Sequence, residues 1–575
     1  MKLRAQSRSA LHRVVTLSAI GLVIGSLSAF LTVGFVGLVE GLNQILLVHE
    51  NSRQKFDPVT RHLLTFLVLG GGGLMVGLII RYGIQERRPL GPPDTIYSVQ
   101  LREPPPDLKS GFFSTLASVI SLGCGASVGQ YGPLVYLGTL TGQLARRLNL
   151  KLDDLQSIAI ACGVAAAIST AFNAPIAGLI FTHEVILRHY SLRMFTAVTI
   201  ASACGYVVAN VVFHHPPLFL INYHGEFVAS EFFLFAIEGI ACGLIAVLFM
   251  KALAMTTKLG SIFPISAPFK PMLAGFILST VATFVPEVLG AGQDVLRLAL
   301  IPGSYTAFEL WGILTSKLVV TVICIGFGFA GGVIFPSLLV GILFGAFFAT
   351  TVPELLFEQY SGLAVYAVCG MVAVASPVIG APITALLIIF ELTRNYEITI
   401  AAMVTLVFAN LIASHWYGRS LFDTQLIKRG LDLSFGRDRA YLQHLKIIDF
   451  QQSLLPVLQA NSRKENGYTT MQQNKLQTAV VTDQQNRFLG LINQHHLLSL
   501  SSRQTIEDIV KPASLIFDEK TNLWQAMESI RNYIGEAIPV VHSSSREYLG
   551  TISEAIIINA YLDAIHDLRR EEYEA

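Results

Sequence analysis

Charged residues are scarce in this sequence. Asp, Glu, Lys and Arg make up 14% of its 575 residues, whereas an ordinary soluble protein has about 25%. The 40 Lys and Arg nearly balance the 39 Asp and Glu, for a net charge of +1, so neither nucleic-acid binding nor an acidic disordered tail is indicated. Hydrophobic residues account for 52%, and the mean hydropathy is +0.56. This composition predicts a membrane protein.

Cysteine is also rare, and its pattern excludes several kinds of site. All six cysteines lie inside apolar segments, without a CxxC pair or a nearby histidine cluster: Cys124, Cys162, Cys204, Cys242, Cys324 and Cys369. They are better interpreted as small buried hydrophobic residues than as disulfides or metal ligands. Because no nucleophile and base are arranged together either, we expect no enzyme, no metal site and no cofactor.

Long charge-poor runs occupy most of the first 416 residues. Each run is close to or longer than the roughly 20 residues that cross a bilayer, and several are long enough for two short helices. The runs are 14–39, 63–80, 110–145, 156–182, 194–213, 232–255, 271–290, 311–349, 363–390 and 398–416. They predict a polytopic α-helical membrane protein.

The N-terminal residues indicate an orientation. Lys2, Arg4, Arg8 and Arg13 precede the first apolar run, and the positive-inside tendency then predicts a cytoplasmic N-terminus. A cleaved signal peptide is the alternative. It is less favoured because the run exceeds the usual 7–15 apolar residues of a signal peptide and many further runs follow.

After Tyr417 the sequence becomes polar and charged. Short β-like runs (TAVVTD, RFLGLIN, AIPVVHS) alternate with helix-like stretches such as LWQAMESIRNYI. AVVTDQQNRFLGLINQHHLLSL and IPVVHSSSREYLGTISEAIIINAY both read as strand, polar turn, strand and helix. We therefore predict a pore domain over 1–420 and a cytoplasmic α/β domain over 421–575, which resembles a tandem pair of CBS modules.

The membrane part contains an internal repeat. GVAAAISTAFNAPIAGLIFTHE aligns without a gap with GMVAVASPVIGAPITALLIIFE, which superimposes Gly163 on Gly370, Ala174-Pro175 on Ala381-Pro382 and Glu184 on Glu391. Upstream, Gly129 and Gly138 flank Pro133 at the offsets at which Gly332 and Gly341 flank Pro336. These blocks predict two repeated units, roughly 100–210 and 310–416, and such repeats are commonly inverted in transport proteins.

Glycine and proline interrupt the apolar runs at equivalent places. GQYGP and GGVIFP are typical of loops that lead into the N-terminal ends of broken helices. Such ends present unpaired amides and a partial positive charge, so two of them meeting near the membrane midplane make an anion site. The alternative is that the glycines only allow tight helix packing.

These motifs resemble the CLC family of chloride channels and chloride/proton antiporters. GQYGP stands where the family has G(K/R)EGP, and GGVIFP where it has GxFxP. FNAPIAGLIFTHEV and GAPITALLIIFELTRNY resemble its paired repeats, and FVPEVLGAGQD another family loop. The resemblance implies an all-α polytopic membrane protein with two inverted repeats, plus the small α/β CBS-type domain. It also implies a homodimer with one pore in each subunit.

The sequence departs from the family pattern at four side chains. The family's GSGIP is PLGPP here, which aligns Leu90 with the serine that touches the central anion. Tyr131 replaces the gating glutamate, Phe422 the pore tyrosine, and Val185 the glutamate that relays protons in antiporters. We therefore expect the backbone amides of 130–132 and 333–335 to do most of the anion binding. The predicted anion-pathway residues are Leu90, Gly91, Gln130, Tyr131, Gly132, Val333, Ile334, Phe335 and Phe422, with Tyr131 at the gate.

Four other polar residues lie within or at the ends of apolar runs. Lys317 either raises the potential of the pathway or extends its charged end toward the interface. Glu184 and Glu391 are interpreted as capping or pairing groups on the cytoplasmic side rather than as ion contacts. His183 is interpreted as structural rather than as a proton carrier.

Together these features predict a passive channel for chloride, bromide, nitrate or similar anions in the lipid bilayer of a cell's inner membrane, with both termini cytoplasmic. Two alternatives stay open: an anion/proton antiporter that uses another carboxylate, and a non-conducting sensor or scaffold. The tail is expected to bind ATP weakly or not at all. Family CBS pairs often carry an Asp three residues after a Ser or Thr, which GLINQHH and GTISEAI lack.

Overall fold

The computed structural model describes residues 2–46, 48, 56–145, 155–219, 221, 230–356, 360–474, 476–499, 505–535 and 537–573. The side chains of residues 2–13 lie outside this description, and with them the basic groups from which the N-terminal orientation is predicted. The chain divides into two compact units. The first ends at Gly430 and the second begins at Leu431.

The first unit is built from helices. Their bounds are α1 Lys2–Ile45, α2 Pro58–Gly83, α3 Pro92–Leu101, α4 Leu108–Gly123, α5 Tyr131–Leu144, α6 Leu155–Phe172, α7 Pro175–Phe181, α8 Leu192–Val207, α9 Glu231–Ile262, α10 Lys270–Phe284, α11 Gln293–Leu298, α12 Ala307–Gly326, α13 Ile334–Thr351, α14 Pro353–Leu356, α15 Leu363–Ile379, α16 Pro382–Thr393, α17 Tyr396–Trp416 and α18 Leu421–Ile427. α7 continues into a π-helical turn, Thr182–Leu187. Proline begins α3, α7 and α16, where a first-turn amide would have no acceptor in the helix.

Within the described residues, nine helical segments are long and apolar enough to cross a membrane. In a helix the backbone amides and carbonyls bond to one another, whereas lipid offers them no hydrogen-bond partner. Several of the predicted runs correspond to two helices, as expected: 110–145 overlaps α4 and α5, 311–349 overlaps α12 and α13, and 363–390 overlaps α15 and α16. The breaks coincide with the glycine-rich and proline-rich motifs.

Equivalent glycines bring helices together in the two repeats. A Cβ built on Gly138 of α5 would lie 2.5 Å from the carbonyl oxygen of Gly163 on α6. A Cβ built on Gly341 of α13 would lie 2.3 Å from the carbonyl oxygen of Gly370 on α15. Both helix pairs therefore cross so closely that only glycine fits, which is the packing that small residues permit in membranes.

The second unit is a small α/β structure. Its elements are α19 Arg437–His444, β1 Val457–Gln459, α20 Lys464–Asn474, β2 Thr478–Thr482, β3 Phe488–Asn493, α21 Gln494–Ser499, β4 Phe517–Asp518, α22 Leu523–Ser529, β5 Ile538–Val541, β6 Tyr548–Ile552 and α23 Glu554–Tyr573. They form two sheets, β1-β2-β3 and β4-β5-β6. In each sheet the first pair of strands is parallel and the second antiparallel.

The two sheets share a core. Val480 and Phe488 of one sheet cluster with Val541 and Tyr548 of the other, and all four are buried. The Phe488 amide also donates to the carbonyl oxygen of Arg546 at 2.8 Å. The predicted strand–turn–strand–helix units are thus present, and this arrangement is compatible with a pair of CBS-type modules.

Candidate functional site

The segments before α5 and α13 are joined by a reciprocal pair of backbone hydrogen bonds. The Gly129 amide donates to the Gly332 carbonyl oxygen at 2.9 Å, and the Gly332 amide donates to the Gly129 carbonyl oxygen at 2.6 Å. Although 203 positions separate the two residues in the sequence, they form an isolated antiparallel bridge. The bridge places the starts of the two broken helices side by side.

The start of α3 meets the same point. A Cβ built on Gly132 would lie 2.8 Å from the Cα of Gly332 and 3.7 Å from the Cδ of Pro92. Gly132 of α5, Gly332 just before α13, and Pro92 at the start of α3 therefore converge. Since no side chain fits between Gly132 and Gly332, the motif glycines here serve close backbone approach.

At the converging ends of α5 and α13, the first amides have no backbone acceptor among the described residues. The first backbone hydrogen bond of α5 runs from Leu134 to the Gln130 carbonyl, and that of α13 from Ser337 to the Val333 carbonyl, both at 3.1 Å. The amides of Tyr131, Gly132, Ile334 and Phe335 come before these bonds, so they have no acceptor in their own helices. Together with the two helix dipoles they favour a negative charge at this point.

The amides at the start of α3 are already occupied. The Leu90 amide donates to Ser114 Oγ at 2.9 Å, and the Gly91 amide donates to Asp94 Oδ2 at 2.9 Å. Leu90 and Gly91 therefore lie beside the convergence point without offering an amide to an anion. The Leu90 side chain is buried and apolar.

Sequence reasoning missed a charged cluster at the start of α3. Asp94 is buried, and its carboxylate pairs with Arg88 at 2.6 Å and with Arg429 at 3.0 Å. Asp94 also closes the first turn of α3 by accepting from the Gly91 amide. An Asp two residues into a helix that begins with proline is a capping signal, but nothing local in the sequence indicates that the distant Arg429 joins it.

Tyr131 is packed within an aromatic cluster. Its ring stacks on Phe172, with centroids 3.8 Å apart and planes 27° apart, and lies 5.7 Å from the ring of Phe335. The side chain is fully buried. Its hydroxyl has no hydrogen-bond partner among the described residues. The predicted gate position is therefore filled by a neutral, buried aromatic ring.

Phe422 and Val185 lie on elements joined by an ion pair. Phe422 is buried in the first turn of α18, which packs against α3. Asp423 on the same turn pairs with Arg188 at 2.6 Å, and Arg188 ends the π-helical turn that contains buried Val185. The structure thus brings the Phe422 helix to α3 and ties it to the π-helical turn that contains Val185.

Glu184 and Glu391 act as helix caps. Glu184 accepts from the amides of Ile383 at 3.0 Å and Thr384 at 2.8 Å, at the start of α16. Glu391 accepts from the amides of Ile176 at 2.9 Å and Ala177 at 2.7 Å, at the start of α7. The two carboxylates lie at opposite ends of an antiparallel pair of short helices, and the prediction that both face the cytoplasmic side stays a prediction. The prediction of a capping role is confirmed.

Lys317 is fully buried rather than extended toward an interface, which contradicts the snorkelling alternative. Its Nζ donates to the carbonyl oxygens of Val288 at 2.9 Å and Gly290 at 2.7 Å. The Gly290 amide in turn donates to the Gly125 carbonyl oxygen at 2.7 Å. Lys317 therefore holds the loop that leads from α10 into α11 against the break between α4 and α5.

Leu289 and Gly290 of this loop line a cavity of about 290 Å³. Gln130 at the start of α5 lines it, together with the charged residues Glu40, Arg61, His62, Glu287 and Asp294. We call this cavity the vestibule. No sequence signal pointed to it, because its charged residues come from separate helices and loops.

The model of the family described as voltage gated chloride channel matches residues 72–414, more than half of the chain. The chain belongs to the CLC family. Among its relatives, a protein of Ralstonia nicotianae named ClcB-like is 26% identical over 375 residues, which cover 64% of this chain and 86% of the relative. The H(+)/Cl(-) exchange transporter ClcA of Vibrio parahaemolyticus is 28% identical over 322 residues, which cover 54% and 68%.

Solved CLC structures share the fold. A slow cyanobacterial Cl-/H+ antiporter superimposes with a TM-score of 0.65 at 23% identity, over 72% of this chain and 97% of that one. A eukaryotic CLC transporter superimposes with a TM-score of 0.63 at 17% identity, over 95% of this chain and 98% of that one. The predicted family and fold class are confirmed. The protein is an integral membrane protein of a family of anion channels and transporters.

Proposed function

We propose that this CLC protein conducts chloride and similar small anions passively, without moving protons. The observation that carries the proposal is the chemistry at the gate: Tyr131, a buried aromatic residue, stands where a proton-coupled CLC protein has a carboxylate. An ordinary tyrosine has a pKa of about 10, so a phenol does not exchange protons near neutral pH. Val185 stands where antiporters of the family have a second carboxylate, the glutamate that relays protons.

Backbone amides supply the anion site in this proposal. The unpaired amides of α5 and α13 hold an anion by partial charges, and the apolar side chains of Leu90 and Phe422 add no hydroxyl donor. Each missing hydrogen bond removes about 0.5–1.5 kcal/mol, and more when the partner is charged. Chloride, bromide and nitrate should therefore pass with similar ease.

Asp94 is poorly suited to carry protons in place of a gating glutamate. Two guanidinium groups and the Gly91 amide hold its carboxylate. A group that carries protons must release such partners in each cycle, and these partners also close the first turn of α3. We therefore assign Asp94 a structural role at the pore.

One observation favours the alternative of coupled exchange. Glu238 on α9 is fully buried, and neither of its carboxylate oxygens has a hydrogen-bond partner among the described residues. An ionisable residue within a membrane domain is a functional candidate. If protons are coupled to anions in this protein, Glu238 is the carboxylate we would assign to them.

The test is the reversal potential of purified protein in planar bilayers under opposing chloride and pH gradients. Passive conduction predicts a reversal potential that follows the chloride gradient alone. A shift with pH that disappears in Glu238→Gln would support the exchanger. A lack of anion flux in every condition would support the remaining alternative, a non-conducting sensor or scaffold.

The same proposal includes the assembly and its location. The predicted pore domain, 1–420 with repeats near 100–210 and 310–416, would extend to Gly430 and so include α18, and a cytoplasmic CBS-type regulatory domain would occupy the rest of the predicted segment 421–575. By resemblance to the family, the protein would be a homodimer with one pore per subunit. We place it in the inner membrane with both termini in the cytoplasm, on the basis of its basic N-terminus and its bacterial relatives.

A further inference from the structure

Two glutamates of α9 are fully buried on the same face of that helix. Glu231 is the first residue of α9, and Glu238 follows it at the seventh position, which is two helical turns or about 10 Å along the axis. Burying a charged carboxylate inside a membrane domain costs free energy unless other groups compensate the charge. The partners of each carboxylate therefore decide which form it can take.

Glu231 has the partners that a charged carboxylate needs. Its Oε1 accepts from the Ser361 amide at 2.8 Å, from the Ser361 hydroxyl at 2.8 Å and from the Tyr366 hydroxyl at 3.2 Å. Glu231 also lies in the first turn of α9, where the helix dipole favours a negative charge. It is therefore accommodated as an anion.

Glu238 has no such partners. Neither of its carboxylate oxygens has a hydrogen-bond partner among the described residues. The next residue, Gly239, packs so closely on α17 that a Cβ built on it would lie 2.3 Å from the Thr405 carbonyl oxygen. Buried polar groups are normally paired, and a carboxyl group that is not paired avoids the cost of a buried charge by holding a proton. This position therefore suits the neutral acid.

Among the described residues, no positive charge compensates Glu238. Its electrostatic neighbours are Cys242 on α9 and Tyr366 and Cys369 on α15. α13 has no titratable residue. The other titratable residues on α9, on the helices packed against it and on the loop before α15 are Tyr360 near Glu231, Lys317 on its loop carbonyls with Cys324 nearby, and the exposed Lys251, Lys258, Glu309, Tyr396, Glu397 and His415.

Tyr366 connects this region to α13, one of the two helices that converge at their starts. The Tyr366 ring centroid lies 4.7 Å from that of Phe235 on α9 and 6.0 Å from that of Phe348 on α13. A Cβ built on Gly345 of α13 would lie 2.3 Å from the Tyr366 carbonyl oxygen. Because α15 packs on α13 without room for a side chain, a shift of α15 is passed to α13.

We propose that Glu238 is a proton-binding site that controls anion conduction from outside the anion pathway. The site lies on α9, whereas the converging helix starts belong to α5 and α13. Loss of the proton leaves an uncompensated buried charge, which draws water between α9 and α15, and the displacement of α15 reaches α13. Conduction should therefore fall as the proton is lost. The inference rests on the proposed passive conduction and deepens it, because protons regulate the anion flow without being transported.

The first experiment measures chloride conductance in planar bilayers with equal chloride and equal pH on both sides. As the solution changes from acidic to alkaline, wild-type conductance should fall by about fivefold or more, which is the lower end of usual couplings between two sites. Glu238→Gln keeps the neutral shape and should conduct well throughout. Glu397→Gln is the matched control, because it removes an exposed carboxylate from α17, which packs on α9.

Two outcomes of this experiment would overturn control by Glu238. One is a wild-type conductance that does not depend on pH, and the other is a Glu238→Gln conductance that falls in parallel with the wild type. Under a pH gradient, the reversal potential of both proteins should follow chloride alone. A reversal potential that shifts with pH in the wild type and not in Glu238→Gln would replace regulation by coupled exchange.

Infrared difference spectroscopy detects the bound proton directly. The full-length wild-type protein in neutral solution should show the C=O stretch of a protonated carboxylic acid, which Glu238→Gln lacks. Glu397→Gln should retain the band, and so should Glu231→Gln, because three hydrogen bonds hold Glu231 as an anion. Absence of a band that depends on Glu238 would overturn the proton site whether or not the protein conducts. A wild type that conducts no anion would instead defeat the proposed function, so the two failures are distinguishable.

Discussion

Glu184 and Glu391 occupy equivalent places in the two repeats. Glu184 caps α16, which carries Glu391, and Glu391 caps α7, which leads into the turn that carries Glu184. Glu184 bonds the first amides of α16, and Glu391 bonds the first amides of α7. Each short helix thus has its dipole neutralised by a carboxylate from the opposite repeat. The pair links the repeats without a direct contact between the two carboxylates.

Removing either cap should destabilise the fold. Glu184→Ala and Glu391→Ala should each lower the free energy of unfolding by about 1–2 kcal/mol, because two backbone amides lose a charged acceptor. Thermal and denaturant unfolding in detergent measures this loss. Glu397→Ala, in the first turn of α17, is a matched control on a helix of the same unit. If either variant changed the pH dependence of anion flux and left the free energy of unfolding unchanged, Glu184 or Glu391 would be moving protons instead of capping a helix.

Gly332→Ala should abolish most of the anion flux. Its Cβ would lie 2.6 Å from the Gly132 amide nitrogen, so it would cover an unpaired amide and push two helix starts apart. The overlap should cost about 1–3 kcal/mol of stability. Gly312→Ala in α12 is the control, because a Cβ there meets nothing within 4 Å. Flux of folded protein in liposomes is the measurement, and equal flux in both variants would contradict the amide site.

Tyr131→Ala should speed anion flow if the ring obstructs the path. The stacked ring fills space beside Phe172, and its removal should also cost about 3–5 kcal/mol of stability, so flux is normalised to folded protein. Tyr131→Glu should produce pH-sensitive gating without coupled exchange, because Val185 still offers no second proton acceptor. A reversal potential that shifts with pH in Tyr131→Glu would show that another group completes the proton route.

Leu90→Ser and Phe422→Tyr should sharpen anion selectivity. Each substitution adds a hydroxyl at a buried position, and a hydrogen bond favours the anion that fits its geometry best. The ratio of chloride to nitrate permeability should rise in each variant and further in the double variant. Bi-ionic reversal potentials give these ratios. A wild type that already passes only one of chloride, bromide and nitrate would refute loose selectivity.

The C-terminal unit should bind ATP with a Kd weaker than about 1 mM. Ser553 follows β6, and the position three residues after it is Ile556 rather than the expected Asp. Asn493, at the end of β3, uses its side-chain oxygen to cap the His495 amide at 3.0 Å. Calorimetry of the full chain with ATP tests this, with GTP as the comparison. Micromolar affinity would overturn the prediction.

Much of the membrane architecture could be predicted because it depends on local properties. Long apolar runs predict spans since lipid cannot satisfy backbone groups. Glycine and proline predict the breaks because they change the backbone wherever they occur. The alignment of Glu184 with Glu391 similarly predicted equivalent roles, and the confirmed fold agrees with the family resemblance.

The tertiary structure decided which groups are free and which are occupied. The amides of Leu90 and Gly91 are taken by Ser114 and Asp94, and no periodicity in the sequence indicates this. Lys317 is buried on two loop carbonyls rather than at an interface, because the loop before α11 folds back onto α12.

The sequence by itself determined the membrane class, the broken helices and the repeats, since each follows from residue type and local order. Only the folded chain could bring Tyr366 of α15 to Glu231 of α9 while leaving Glu238 without a partner among the described residues. Contacts between residues so far apart depend on how the helices pack. Packing is a collective property of all the buried surfaces and is not carried by any one motif.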